Sequence, residues 1–455
     1  MIESLGKTDE PPIRIADALR QDNSPPISFS FTLPQYWLPD TPDIELYAVC
    51  VPESGNVAAV IGSDRQAIER ALTTHPVLGR ESLDRFADAL GLSVIDLCRP
   101  MRLDTVRIPK PWGAEVWYTG VEARGVCSVH GTPLPWITAL SGAVCHGAAS
   151  PDLVLLKILD PLPDVVYGDL YFEMHEQKTE VYVVTHIDRS AWPDGKGAIR
   201  FGFNPQKLAG FVSLAGFKEA WLDSVNAYRK IRTDIDDAFD RFRAQDGITP
   251  DQVVSPDLME QWKARIDPTL NEQEHRCRET MDAFTATRPL EPGDVVRVPP
   301  YTPHALQHGV RVVEFQTPHY ERYILSFGQK VLTQDHWDTR EALDKIDWNA
   351  EFDTQLQILE SGEDCVIERV ADFDTFEVRR IRLEANGHWQ MPLSTYVIAM
   401  AIDSQVDTNG TRLLADQACL VPAAATTLEL SSADEASCLV LLAIPKSLVR
   451  TAAGP

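Results

Sequence analysis

Two separated stretches carry residue types that together could hold a divalent metal ion: Glu173-Met-His175-Glu-Gln-Lys178-Thr-Glu180 and Val298-Pro-Pro-Tyr-Thr-Pro-His304. In an extended strand alternate side chains share a face, so Glu173 and His175 point the same way, and Glu180 is far enough along to return from a neighbouring turn or strand. His304 would close the set from another strand. Two imidazoles and two carboxylates suit Zn2+, Mn2+ or Fe2+ alike, because each accepts neutral nitrogen together with anionic oxygen donors. A chain with 11 His and 67 acidic residues also brings His near Glu by chance. The flanking residues set this instance apart.

Gly168 signals a turn before the first stretch, Glu180-Val-Tyr-Val-Val is strand-like, and Gly293-Asp-Val-Val-Arg-Val-Pro299 reads as a turn and a strand that delivers His304. Residues 207–288, between the two stretches, are too long for a hairpin connection. There Phe217, Trp221, Val225, Tyr228, Ile231, Ile235, Phe239 and Phe242 recur every three or four residues, which predicts one helical face used for packing. Pro256 and Pro268 punctuate the rest of this segment, and a further helix is expected over Asn271 to Ala286. The first hundred residues read as α/β. Strands are expected at Ile44 to Val51 and Val57 to Ile61, a capping pattern at Ser63-Asp-Arg-Gln66 ahead of one helix, and a second helix over Ser82 to Cys98. Lys110-Pro-Trp-Gly113 through Tyr118 is aromatic-rich and is assigned to packing.

The carboxy-terminal part returns to strands at Phe376 to Leu383, Tyr396 to Ile402, Thr427 to Leu430 and Cys438 to Ile444. Aligning Arg297-Val-Pro299 with Leu420-Val-Pro422 puts Thr427 at the place of His304, so metal chemistry is expected in the first of two related units alone. His308, His319 and His388 are read as hydrogen-bonded or solvent-facing, with His319 the best neighbour of the site.

At 455 residues the chain should hold two or three domains. No apolar run is long enough to cross a bilayer, and the amino terminus lacks a basic segment followed by an apolar one, so a cytoplasmic chain is expected. The eight Cys form no C-x-x-C pair and predict neither a disulfide framework nor a cysteine zinc ribbon. A net charge of −25 excludes general binding to nucleic acid or acidic membrane. The same charge demands a local cation cluster for any phosphorylated substrate, and Lys178 and Arg322 are its candidates.

These motifs resemble type I mannose-6-phosphate isomerase, a zinc-dependent family of the cupin superfamily. Leu156-Lys-Ile-Leu-Asp160 looks like the strand before the family's first metal motif, Glu173-x-His175 sits where the family has Gln-x-His, and Lys178-Thr-Glu180 falls on its Lys-Pro-Glu. Val298-Pro-Pro-Tyr-Thr-Pro-His304-Ala-Leu is similar to its Ile-Pro-Ala-Gly-Thr-x-His-Ala, and Arg322, 18 residues beyond His304, lies near its catalytic arginine. The resemblance spans roughly residues 105 to 445. It implies metal ligands Glu173, His175, Glu180 and His304, active-site residues Lys178 and Arg322, a sugar-phosphate substrate, and Zn2+ as the ion, with Mn2+ or Fe2+ as alternatives. It also implies a mainly β fold with two cupin-like β-barrel (jelly-roll) domains. The metal-binding one comprises 105–206 with 289–335, a helical subdomain (207–288) is inserted in it, and the degenerate one covers 336–455. A small N-terminal α/β extension (1–104) precedes them.

The sequence departs from the family in three places. Glu173 replaces Gln, which makes the ligand charge cancel that of a divalent ion and favours Mn2+ or Fe2+ more than the family pattern does. The family's loop between the ligand His and Lys-Pro-Glu is missing, and Tyr301 stands where Gly is usual. The implied reaction moves a proton between C1 and C2 of an open-chain sugar, with Lys178 as base or phosphate-binding cation and Arg322 stabilising negative charge. Two other classes fit the same residues: an Fe(II) oxygenase-type cupin enzyme, and a noncatalytic sugar-binding or regulatory cupin, which the missing loop favours.

Overall fold

The alternating pattern around Glu173 and His304 becomes real strands in the computed structural model, which describes residues 6–20, 24–35, 38, 40, 42–121, 125–147, 152–249, 254, 256–432 and 436–446. The chain divides into two units. One comprises Met1–Ile108, Val116–Lys157 and Gln355–Pro455; the other, Pro109–Glu115 and Ile158–Thr354, contains both metal-site stretches. The protein is mainly β, with several sheets of which none closes on itself. The strands hydrogen-bond as separate open sheets.

In the second unit the site-bearing strands are β1 (Phe172–Met174), β2 (Glu180–Ile187), β3 (Gly197–Phe203), β4 (Thr285–Leu290), β5 (Val295–Val298), β6 (His304–Leu306), β7 (Val310–Gln316) and β8 (Tyr323–Ser326). One sheet runs in the order β4-β3-β6-β1-β8, and β5, β2 and β7 lie side by side in another. Period-two alternation sorts their residues. Tyr182, Val184, Val296, Val298, Val310, Val312, Ile199, Phe201, Leu306 and Ile324 form one core with contributions from both sheets. Phe172, Met174, Ala305 and Leu325 turn to the opposite face of the first sheet and form a second core with helix α1 (Leu214–Gln245). Phe203, two residues after Phe201, should share its face, yet it joins the helix-packed core. A register shift between Arg200 and Phe203, with Gly202 at φ 63°, turns the strand over there.

The predicted stripe divides between two clusters. Phe217, Trp221, Val225 and Tyr228 cover the sheet, whereas Ile231, Ile235, Phe239 and Phe242 pack with Ile266 and Leu270. Ser213 accepts a hydrogen bond from the Gly216 N–H and caps the helix. Helices α2 (Pro256–Arg265) and α3 (Pro268–Asp282) each start at one of the two punctuating prolines. The second of them begins and ends earlier than the 271–286 expected, because Asp267 caps it and strand β4 starts at Thr285.

In the first unit a five-stranded sheet contains Asp43–Glu53 and Asn56–Gly62, and its Tyr47, Val49, Val51, Ala58 and Val60 pack with Ile68, Leu83 and Phe86 of two helices. The first helix, Arg65–Thr74, is capped by Asp64, which accepts from Ala67 N, and not by Ser63. The second stops at Leu90, well short of Cys98: Gly91 takes φ 63° and its N–H bonds back to Ala87 and Asp88 carbonyls. The carboxy-terminal strands match the expectation closely, at Phe376–Leu383, Val397–Ala401, Thr427–Ser432 and Cys438–Pro445. Met101–Arg102 pairs with Ala418–Val421 of that sheet.

The eight cysteines are free, seven of them buried. Among the described residues, no helix is long and apolar enough to cross a membrane.

Gly168 is a fixed point of the turn leading into β1. A Cβ placed on it would lie 1.9 Å from the Leu162 carbonyl oxygen and 2.7 Å from the His308 Cβ. Gly168→Ala is therefore expected to cost about 3 kcal/mol, the upper part of the usual overpacking range. Urea denaturation measures it, and an unchanged midpoint would show that the turn relaxes freely.

Candidate metal centre

The four sequence-predicted donors meet inside the second unit. Glu173 in β1 and His304 in β6 are direct cross-strand partners, and both lie on the face opposite Met174 and Ala305. His175 follows two residues later on the same side. From the other sheet, Glu180 opens β2 and shares the alternation of Tyr182 and Val184, while Glu314 and Gln316 share that of Val310 and Val312. Thus one end of a largely apolar interior is lined by carboxylates and imidazoles. Glu180 and Glu314 are 0% and 1% exposed, and His175 and His304 are 4% and 2% exposed, so these groups have little water to solvate them.

Distances and orientation favour a shared cation. His175 Nε2 lies 3.7 Å from Glu173 Oε1 and 3.8 Å from Glu180 Oε1, and His304 Nε2 is 2.7 Å from the same Glu180 oxygen. Donors at ordinary metal bond lengths in a tetrahedral shell are separated by about 3.4 Å, a span these contacts bracket. Donor atoms of Glu173, His175 and His304 all fall within 4.8 Å of one another. His175 Nδ1 donates to the Glu321 carbonyl at 2.7 Å, and His304 Nδ1 donates to the Thr302 carbonyl at 3.0 Å. Each ring is thereby fixed with Nε2 facing the centre. With Nδ1 turned to the Thr302 carbonyl, His304 Nε2 is directed at Glu180 Oε1, as two ligands of one cation would be. His175 Nε2 and His304 Nε2 are buried and make no hydrogen bond. Such orphaned acceptors fit a divalent ion.

Charge is arranged around these donors. Burial opposes ionisation of Glu180, but Lys178 and the imidazoles hold its carboxyl well below the usual range. Burial likewise opposes ionisation of Glu173, and Arg322, with smaller help from His175 and Lys178, lowers it. His175 is pushed down to about 4, first by burial and then by Lys178, so its ring is neutral near pH 7. Lys178 Nζ lies 2.5 Å from Glu180 Oε2 and 3.8 Å from Glu314 Oε1. Burial would lower its ammonium, but these carboxylates and Glu173 outweigh burial and raise it. Arg322 sits 3.7 Å from Glu173 Oε2, donates to Thr333 Oγ1 at 3.2 Å and stacks 4.8 Å from the Tyr171 ring centre.

The remaining histidines do other things. His308 bonds to Asp169 at 2.7 Å and stacks on Trp192. His319 approaches Thr317 Oγ1 at 3.1 Å, and His388 is exposed on a strand of the first unit. Trp112 is buried in the inter-sheet core, in the packing role read for its segment. Tyr182 and Glu314 were missed in the sequence. Tyr182 donates to Glu180 Oε1 at 3.0 Å. Tyr182 occupies an alternate position of a strand already recognised, so its signal was the face it shares with Glu180, whereas the strand Val310–Gln316 that carries Glu314 was not read in the sequence.

Tyr301, where the resembled family has Gly, adopts φ 63°. Its N–H bonds to the His175 carbonyl at 2.6 Å, and its own carbonyl accepts from Asp347 N at 2.9 Å. The backbone shape that a glycine adopts freely is thus kept here at a cost of about 1 kcal/mol.

The fold is similar to that of mannose 6-phosphate isomerases. A zinc-bound mannose 6-phosphate isomerase matches 76% of this chain and 100% of its own, with a TM-score of 0.53 and 11% identity. The apo form from Salmonella typhimurium matches 76% of this chain and 99% of its own, with a TM-score of 0.51 and 11% identity. A phosphomannose isomerase variant from the same organism gives a TM-score of 0.52 and 12% identity over 76% of this chain and 100% of its own. No family model matches the sequence, and no curated protein does.

Proposed function

We propose that this protein is a metal-dependent aldose–ketose isomerase acting on a sugar phosphate, with mannose 6-phosphate and fructose 6-phosphate as its substrate pair. The observation that carries this reading is the convergence of Glu173, His175 and His304, with Glu180 beside both imidazoles and the buried imidazole nitrogens left without a hydrogen bond. The similarity of fold supports it. Zinc is the ion that reading favours, and the donor set also suits Mn2+ or Fe2+. Two carboxylates make the ligand set neutral with any of them.

When bound, the ion would polarise the carbonyl or hydroxyl oxygen of the open-chain sugar. The chain's own groups do the rest. Nδ1 contacts orient the two imidazoles, Tyr182 and Lys178 fix the two oxygens of Glu180, and the apolar core beneath excludes water. Lys178, an ammonium 2.5 Å from Glu180 Oε2, would supply the proton moved between C1 and C2, and Arg322 would offer a guanidinium to the developing negative charge or to the phosphate.

The test is metal content together with mannose 6-phosphate turnover on one purified sample, before and after chelation and metal return. Chelation-sensitive turnover restored by the ion is expected. Metal without turnover would redirect the reading to an oxygenase-type or a binding cupin. Absence of metal after reconstitution would remove it.

A further inference from the structure

We propose that Glu321 is a positioning residue of the candidate centre, holding the turn His175-Glu176-Gln177-Lys178 so that the ligand ring and the Lys178 amine face the same point. This role rests on the metal-centre reading and adds a residue to it.

Glu321 contacts this turn through both its main chain and its side chain. Its carbonyl accepts the His175 Nδ1 proton at 2.7 Å. Its carboxylate Oε1 accepts two consecutive backbone N–H groups, Gln177 at 2.7 Å and Lys178 at 2.9 Å. Two successive amides aimed at one oxygen make a small anion-binding concavity, filled here by a side chain from 143 and 144 residues away in sequence. The bonds are charge-assisted, hence stronger than neutral ones. They fix the φ/ψ of the turn where Lys178 leaves it, and the side chain of Lys178 then reaches Glu180 Oε2 at 2.5 Å.

The same residue immediately precedes Arg322, whose guanidinium lies 3.7 Å from Glu173 Oε2. One residue thus ties the turn bearing His175 and Lys178 to the strand entry bearing Arg322. The flank of the turn is tied separately: Tyr323 Oη donates to Glu176 Oε1 at 2.7 Å, and Lys345 pairs with the same carboxylate. This second tie keeps the turn attached when the Glu321 carboxylate is removed. The backbone carbonyl survives any substitution, so the His175 contact is retained as well. The carboxylate's own contribution is therefore separable, and it falls on Lys178 and, through Lys178, on Glu180.

The experiment compares wild type, Glu321→Ala and Glu321→Gln by cobalt(II) substitution, by hydrogen exchange of the 176–179 segment and by steady-state kinetics. In Glu321→Ala we expect cobalt to bind at wild-type stoichiometry with a shifted d–d absorption band. Amide exchange at Gln177 and Lys178 should be at least 10-fold faster, and kcat should fall about 30-fold with KM changed less than 3-fold, a loss confined to the reacting geometry. Glu321→Gln keeps an acceptor oxygen and should recover most of the band position and of the exchange protection. A purely structural role would lower thermal stability in both variants and leave the cobalt spectrum of the folded fraction unchanged, which would overturn the proposal. Unchanged exchange at both amides in a folded Glu321→Ala would overturn it too. If wild type takes up no cobalt, the metal reading fails, while the exchange measurement still decides whether Glu321 holds the turn.

Discussion

Replacing His304 with alanine is expected to empty the centre of metal and to lower kcat/KM by about three orders of magnitude, roughly 4 kcal/mol of transition-state stabilisation. The reason is geometric. His304 faces Glu173 across the strand pair and reaches to 2.7 Å from Glu180 Oε1. Its removal leaves one imidazole and two carboxylates for a divalent ion. Removing only the hydrogen-bond partner of a metal ligand typically costs 10–100-fold in affinity, and loss of the ligand itself should exceed that.

The stability cost of the same change should be smaller than its functional cost. The ring contributes one hydrogen bond to the Thr302 carbonyl, about 1 kcal/mol net, together with the volume it fills. Bound metal is measured by atomic absorption, turnover with mannose 6-phosphate, and folding by urea midpoint. His388→Ala, exposed and in the other unit, serves as the control and should leave all three unchanged. Metal at wild-type stoichiometry in His304→Ala would sink the four-ligand assignment.

Local chemistry was legible in the sequence wherever one strand or one helix carried it. Glu173 and His175 share a face because a strand has period two, and Phe217 to Phe242 share one because a helix has period 3.6. Thr427 opens a strand, as His304 does at the position aligned with it. Long-range pairing was hidden. No pattern in Met101–Arg102 predicts that it joins a sheet built from residues beyond 356. Nor does Glu321, next to a recognised arginine, reveal that its carboxylate folds back on Gln177 and Lys178. Helix ends were read too far for a physical reason: Gly91 admits a left-handed turn that stops the helix at Leu90 although the residues beyond it remain apolar. That the sheets stay open was equally invisible, since alternation reports which face is buried and not whether the edge strands meet.

Lys178→Met should separate two roles of the same amine. Lys178, with its side chain 7% exposed, is held charged by Glu180, Glu314 and Glu173 against the lowering effect of burial. Taking that cation away leaves buried carboxylates without their partner, which costs about 3–5 kcal/mol in metal-free protein. The sign of the pH dependence follows from the raised value. The ion-pair stability is present below the unfolded amine's 10.5 and is lost as pH climbs above it, so the alkaline loss of stability should be shallower in Lys178→Met. Once Glu173 and Glu180 are engaged by a divalent ion, Glu314 alone would remain to hold the ammonium, and its proton becomes easier to give up. Turnover of the metal-loaded variant should then fall by about 10^2–10^4, the usual worth of a positioned acid or base. Lys178→Arg tells charge from proton transfer. Arginine restores a cation beside the carboxylates and should recover much of the lost stability, but a guanidinium does not release its proton at working pH. Recovered stability with turnover still lost assigns Lys178 to proton movement. Recovery of both would make it an electrostatic support, with the proton carried by another group.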